Sequence, residues 1–188
     1  MNRTHFFHGL IVLVGLALLA SCSQNKSTKP QQFNPEFGNY INAYTTGVIS
    51  ANSSIKVRLQ HPLELTGMQA GDLLEMDLFE FSPKIKGNTY LEDDHTIRFE
   101  PFDPLKSQEI YNASFALFKL FEVDKDLAYF EFSFTILGQS FQVLKTGFKP
   151  YSNSDLENYF IEGFVSTADY MSERDVVKLL KAEQGGKQ

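Results

Sequence analysis

From Ile41 to Val143, apolar and polar residues alternate with a period of two, in short runs bounded by Gly, Pro, Asn and Asp. Ile55, Val57 and Leu59 alternate with Lys56, Arg58 and Gln60. Ile97 and Phe99 alternate with Thr96, Arg98 and Glu100. Tyr111, Ala113, Phe115 and Leu117 share one side, as do Phe130, Phe132 and Phe134, whose neighbours are Glu131, Ser133 and Thr135. Each run puts one face in a core and the other in water, as in an antiparallel sheet. The pattern predicts strands over 41–49, 53–60, 73–81, 84–91, 95–100, 109–118, 127–137 and 140–147. Turns fall at Pro62, Thr66-Gly67, Glu92-Asp93-Asp94 and Pro101 to Pro104. Short strands at this spacing predict an all-β fold, an immunoglobulin-like antiparallel β-sandwich over 36–147.

The pattern changes near Gly147-Phe148-Lys149-Pro150. A polar stretch, Ser152-Asn153-Ser154-Asp155, precedes a further strand-like run from Asn158 to Val165. Ser172 then stands where a helix cap belongs, with Asp175 three residues on. Val176, Leu179 and Leu180 follow at helical spacing. Two strands and a short helix cannot close a core, so 148–188 is expected to be the incomplete start of a second domain.

A different pattern occupies the amino terminus. Arg3 supplies a positive charge, Leu10 to Ala20 is apolar, and Leu19-Ala20-Ser21-Cys22 follows. These are the parts of a secretory signal ending in a bacterial lipobox. The apolar run is too short for a membrane-spanning helix, which needs about 20 residues. Residues 1–21 are expected to be removed by signal peptidase II, with Cys22 then carrying lipid. One acyl chain holds a protein only marginally, so stable anchoring takes more than one. Residues 22–35 are polar and read as a flexible tether. Ser23 follows the Cys, in place of the Asp that retains lipoproteins at the inner membrane. The expected location is the cell envelope, lipid-anchored at the outer membrane and facing the periplasm.

Charge narrows the partners. Loss of residues 1–21 removes one charge, Arg3, and leaves 16 Lys and Arg against 23 Asp and Glu, a net −7. That excludes nucleic acid and anionic lipid surfaces as natural partners. Cys22 is the only cysteine, so no disulfide supports the fold. With 18 Phe, 8 Tyr and no Trp, aromatic burial must do so.

Catalytic chemistry is hard to assemble from this chain. His61 and His95 are the histidines left after residue 21. Asp93-Asp94-His95 reads as a polar hairpin turn rather than a metal corner, because no second ligand pair has metal spacing. Glu64, Glu75, Asp77 and Glu80 read as edge-strand charges that block sheet-to-sheet association. Asn112-Ala113-Ser114 matches a glycosylation triplet but lies in a strand of buried pattern. No phosphate-cradling Gly loop appears. The expectation is a chain without catalytic residues, metal site or cofactor.

Several phrases resemble the amino-terminal region of bacterial alpha-2-macroglobulin family lipoproteins of the Bacteroidetes type. They are Ile55 to Leu59, Phe81-Ser82-Pro83-Lys84-Ile85-Lys86-Gly87 and Asp94 to Pro101. Leu105 with Tyr111 to Phe115, and Leu127 to Phe134, continue the likeness. Gly163 to Asp169 is similar to the opening of that family's next domain. The resemblance implies a macroglobulin-like β-sandwich from an endopeptidase inhibitor, with other macroglobulin-like domains or envelope proteins as partners. It does not extend to the trapping machinery. The family's thioester needs Cys-x-Glu-Gln, whereas Glu183-Gln184 follows Lys181-Ala182, and no bait segment is identifiable. The alternative is a stand-alone Ig-like envelope lipoprotein that binds a protein or a glycan.

Overall fold

The computed structural model describes residues 34–63 and 67–183. Its strands are β1 (Ile41–Tyr44), β2 (Gly47–Ile49), β3 (Ile55–Leu59), β4 (Phe79–Ser82) and β5 (Gly87–Asp93). They continue with β6 (Thr96–Pro101), β7 (Ile110–Ala116), β8 (Tyr129–Ile136), β9 (Phe141–Ser152) and β10 (Asp155–Thr167). One α-helix, α1 (Glu173–Leu179), follows. The fold is an all-β sandwich. One sheet has the order β1-β3-β6-β5 and the other β2-β8-β7-β4, and every pairing except β2 with β8 is antiparallel.

The period-two residues fill the space between the sheets. Ile55, Val57, Ile97 and Phe99 come from one sheet. Phe81, Phe115, Phe130, Phe132, Phe134 and Ile136 come from the other, and all of these are buried. Phe81 meets Phe99 across the interface with centroids 4.7 Å apart, and Tyr44 meets Phe130 at 4.9 Å. Phe37, on a short 3-10 turn ahead of β1, closes one end against Phe130 at 5.1 Å. Tilted and edge-on ring pairs at these distances add to simple area burial.

Three expectations about strands need correction. The strand expected over 41–49 is two strands in different sheets. Thr45 still pairs with Lys56 through its amide (2.9 Å), and its hydroxyl accepts from the Lys56 amide. The chain then crosses at Gly47, whose φ of +76° suits glycine. The run 73–81 forms a strand only from Phe79. Before that, Gly71 and Leu74 donate to Leu91 and Thr89, so the segment covers the free edge of β5. Leu74 and Leu78 are buried while Glu75 and Asp77 face water. The strand expected over 140–147 joins neither sandwich sheet: among the described residues β9 pairs with β10 alone. The polar stretch at Ser152 to Asp155 is the turn of that hairpin.

The outward face of the first sheet is a charge ladder. Lys56 Nζ lies 2.7 Å from Glu92 Oε1, and Arg98 Nε lies 3.3 Å from Glu92 Oε2. The second contact is a charge pairing without hydrogen-bond geometry, because Oε2 is buried and accepts no hydrogen bond. Arg98 also pairs with Glu100 and covers the Tyr90 ring at 4.8 Å. The residue read as a simple outward charge is thus the hub of a small network.

Candidate functional site: the hairpin and its joint to the sandwich

Register explains what β9 and β10 expose. Phe141 stands opposite Thr167, Val143 opposite Val165, and Lys145 opposite Gly163. A bulge at Thr146 shifts the parity of β9, after which Phe148 meets Ile161 and Pro150 meets Tyr159. These β10 residues alternate without a break, so all five pairs lie on one face. That face carries Phe141, Val143, Phe148, Tyr159 and Ile161, which are 49%, 57%, 58%, 55% and 60% exposed. On this face Lys145 lies over the Phe148 ring at 4.3 Å. The opposite face carries Leu144, Tyr151, Phe160 and Phe164, which are also exposed, together with an ion pair between Lys149 and Glu162 at 2.6 Å.

The five side chains expose roughly 400–500 Å² of apolar surface. That matches the largest patches on monomeric proteins, which commonly mark interaction sites. A two-stranded hairpin alone is marginal in water and gains stability from a third strand or a packed face. The sequence showed apolar runs here but not their exposure, because period two reads the same in a core strand and an uncovered one.

The hairpin returns to the sandwich at Asp169. Its Oδ2 accepts from the Ala51 amide at 2.7 Å and its Oδ1 from the Tyr170 amide at 2.7 Å. The Ser50 hydroxyl, with these amides, outweighs partial burial and holds the carboxyl below its ordinary pKa. The Gln139 side chain spans the Asp169 backbone, donating to its carbonyl at 3.1 Å and accepting from its amide at 3.0 Å. An open cleft of about 450 Å³ lies beside this joint, lined by Ala51, Pro104, Leu137, Tyr170, Met171 and Asp175 among others. Beyond the cleft, Ser172 Oγ caps α1 by accepting from the Asp175 amide at 3.3 Å. In the sequence Asp169 is only the end of the Gly163–Asp169 run, and Gln139 belongs to no motif. Neither side chain carries a local signal, since Asp169 reaches Ala51 across 118 residues and Gln139 reaches Asp169 across 30.

The other residues singled out from sequence are dispersed. Asp93 binds its own turn: Oδ1 accepts from the His95 amide at 2.8 Å and Oδ2 from the Thr96 hydroxyl at 3.1 Å. Burial pushes its pKa up, but those bonds and Arg58 outweigh it and leave the carboxyl below the ordinary value. His95 directs Nδ1 to the Leu59 carbonyl at 3.2 Å, so that nitrogen carries the proton. His61 is exposed, Glu80 lies on the edge strand β4, and Glu75 and Asp77 precede it. Among the described residues no three His, Cys, Asp or Glu side chains are grouped to hold a metal ion. Leu19, Ala20, Ser21, Cys22 and Glu64 lie outside the described residues.

No protein-family model matches the chain, and no curated protein matches it. Among solved structures, the chain is similar to L,D-transpeptidase 3 from Mycobacterium tuberculosis in complex with a faropenem-derived adduct. The identity is 10% and the TM-score 0.38, over 58% of this chain and 42% of that one. A second structure of the same enzyme gives 11% identity and a TM-score of 0.37, over 57% and 41%. The matched part of this chain thus spans about two fifths of the enzyme's length.

Proposed function

We propose that this chain is a non-catalytic, membrane-tethered scaffold: a β-sandwich that presents an apolar β-hairpin to a further β-rich domain. The observation that carries the reading is the face of Phe141, Val143, Phe148, Tyr159 and Ile161, which is exposed across two long strands. A long hairpin with an exposed apolar face suits β-augmentation, in which main-chain bonds supply affinity and alternate side chains supply specificity. The lipobox at Leu19 to Cys22 supports a lipid anchor in the envelope, on the periplasmic side of the outer membrane. The likeness of Ile55 to Leu59, Asp94 to Pro101 and Gly163 to Asp169 to alpha-2-macroglobulin lipoproteins supports a place beside macroglobulin-like domains. In that setting the sandwich holds the array near the membrane and does not itself trap proteases.

A photo-reactive amino acid at Phe148, in the intact chain in cells, tests the docking role. Cross-links to a β-domain protein of the envelope, identified by mass spectrometry, are expected. The same probe at Glu131, on the outer face of β8, should give far fewer. Equal yields at the two positions, or cross-links only to lipid, would refute it.

A further inference from the structure

Sheet pairing does not set the direction of the hairpin, because among the described residues β9 and β10 pair only with each other. We propose that Asp169 and Gln139 form a latch that holds the hairpin at one orientation to the sandwich and so aims its apolar face. Three segments from one end of the sandwich meet at this joint, two of them touching Asp169 directly. The Ser50–Ala51 loop after β2 supplies the Ala51 amide at 2.7 Å. The β6–β7 connection supplies Ser107, whose Oγ accepts from the Gln139 amide at 2.8 Å and donates to the Leu137 carbonyl at 3.1 Å. The third segment, Leu137 to Ser140, is tied to β2 by the Leu137 amide on the Ile49 carbonyl at 2.8 Å. It also supplies the Gln139 carboxamide.

The chemistry suits a latch better than a packing contact. A carboxylate offers two acceptor oxygens in a fixed plane, and here each takes a backbone amide from a different stretch of chain. The Gln139 carboxamide donates and accepts like a peptide group and grips Asp169 as a neighbouring strand would. The Ala168 amide closes the hairpin base on the Ser140 carbonyl at 2.9 Å. Charge-assisted bonds of this kind are stronger than neutral ones, and losing the whole carboxylate removes the acceptors of both amides. The cleft opens beside the joint. The latch stands on this geometry. Its value as an aiming device rests on the docking role proposed above, and the experiment below reads orientation alone.

Nitroxides on ketone-bearing unnatural residues at Glu131 and Asn153, in the full-length chain in detergent, report the distance between β8 and the hairpin tip by pulsed electron resonance. The intact latch should give one narrow distance distribution. Asp169→Ala should at least double its width, while the thermal midpoint of the sandwich moves by only a few degrees. Gln139→Ala should broaden it as well. Asp169→Asn, which keeps one acceptor oxygen, should broaden it less than Asp169→Ala. Should Asp169→Ala fail to fold, the other two variants carry the comparison. Variants as narrow as the parent, or a parent already as broad as Asp169→Ala, would overturn the latch.

Discussion

Truncating Phe99 to Ala should be among the most damaging single changes in this chain. The ring is 6% exposed and lies 4.7 Å from Phe81 and 5.8 Å from Phe79, so it joins one sheet to the other. Removing it returns roughly 100 Å² of apolar burial, about 2.5–3 kcal/mol at 25–30 cal/mol per Å². The cavity left behind adds about 1–2 kcal/mol if the surroundings relax only in part. Loss of two tilted ring pairs acts in the same direction. The total, about 3.5–5 kcal/mol, is a large share of the 5–15 kcal/mol that stabilises a typical domain. Urea unfolding followed by tyrosine fluorescence would read it as a fall in midpoint at unchanged slope. Glu131→Ala, on the exposed face of β8, is the control and should stay within about 0.5 kcal/mol. Comparable losses for the two would mean that the faces are assigned wrongly and the two-sheet core is not as described.

Gly87→Ala should destabilise by several kcal/mol, because a Cβ there would overlap the Glu100 carbonyl and stand 2.6 Å from the Phe99 ring. Part of that loss should vanish in a Phe99→Ala background, and a strictly additive double-mutant cycle would contradict the contact. Acid should weaken the fold, since Asp93 and Asp169 are held below their ordinary pKa. A depressed folded pKa adds stability above the unfolded value of about 3.9 and loses it as the pH falls through the folded value. Urea midpoints should therefore be flat from about pH 7 to 5 and drop below about pH 4, less steeply in Asp93→Asn; a rise on acidification would contradict this. Labelled palmitate should enter the chain through Cys22 and bring it to the membrane fraction, and Cys22→Ala should lose both. Equal labelling of the two would remove the anchor.

Much of the sandwich was legible because a buried face imposes alternation on every strand. Phe130, Phe132 and Phe134 point inward together, and a one-residue slip would put all three in water. What alternation could not carry was which sheet a strand joins. The run 41–49 keeps its pattern across Gly47, although its halves lie in different layers. Nor could it tell a covered strand from an uncovered one. β9 has the composition of a core strand, yet its apolar residues are exposed. Leu74 and Leu78 mimicked strand residues, although their segment only laces along β5. Residues acting through the backbone of distant segments, such as Gln139 and Asp169, left no local trace. By contrast Ser172 was readable, because a helix cap is local by construction.

Amide hydrogen exchange along the chain tests the central claim, a self-sufficient sandwich carrying a hairpin that awaits a partner. In the isolated full-length chain in detergent, the centres of β7 and β8 should exchange only through global unfolding. The β9–β10 amides should exchange orders of magnitude faster, as expected for a two-stranded sheet packed on little. In native envelope membranes the sandwich should exchange as before, while the hairpin becomes protected by what docks on it. Equal hairpin protection in the two settings would contradict the account. If it were as low in membranes as in detergent, nothing docks. If it were as high in detergent as in the sandwich, the hairpin needs no partner.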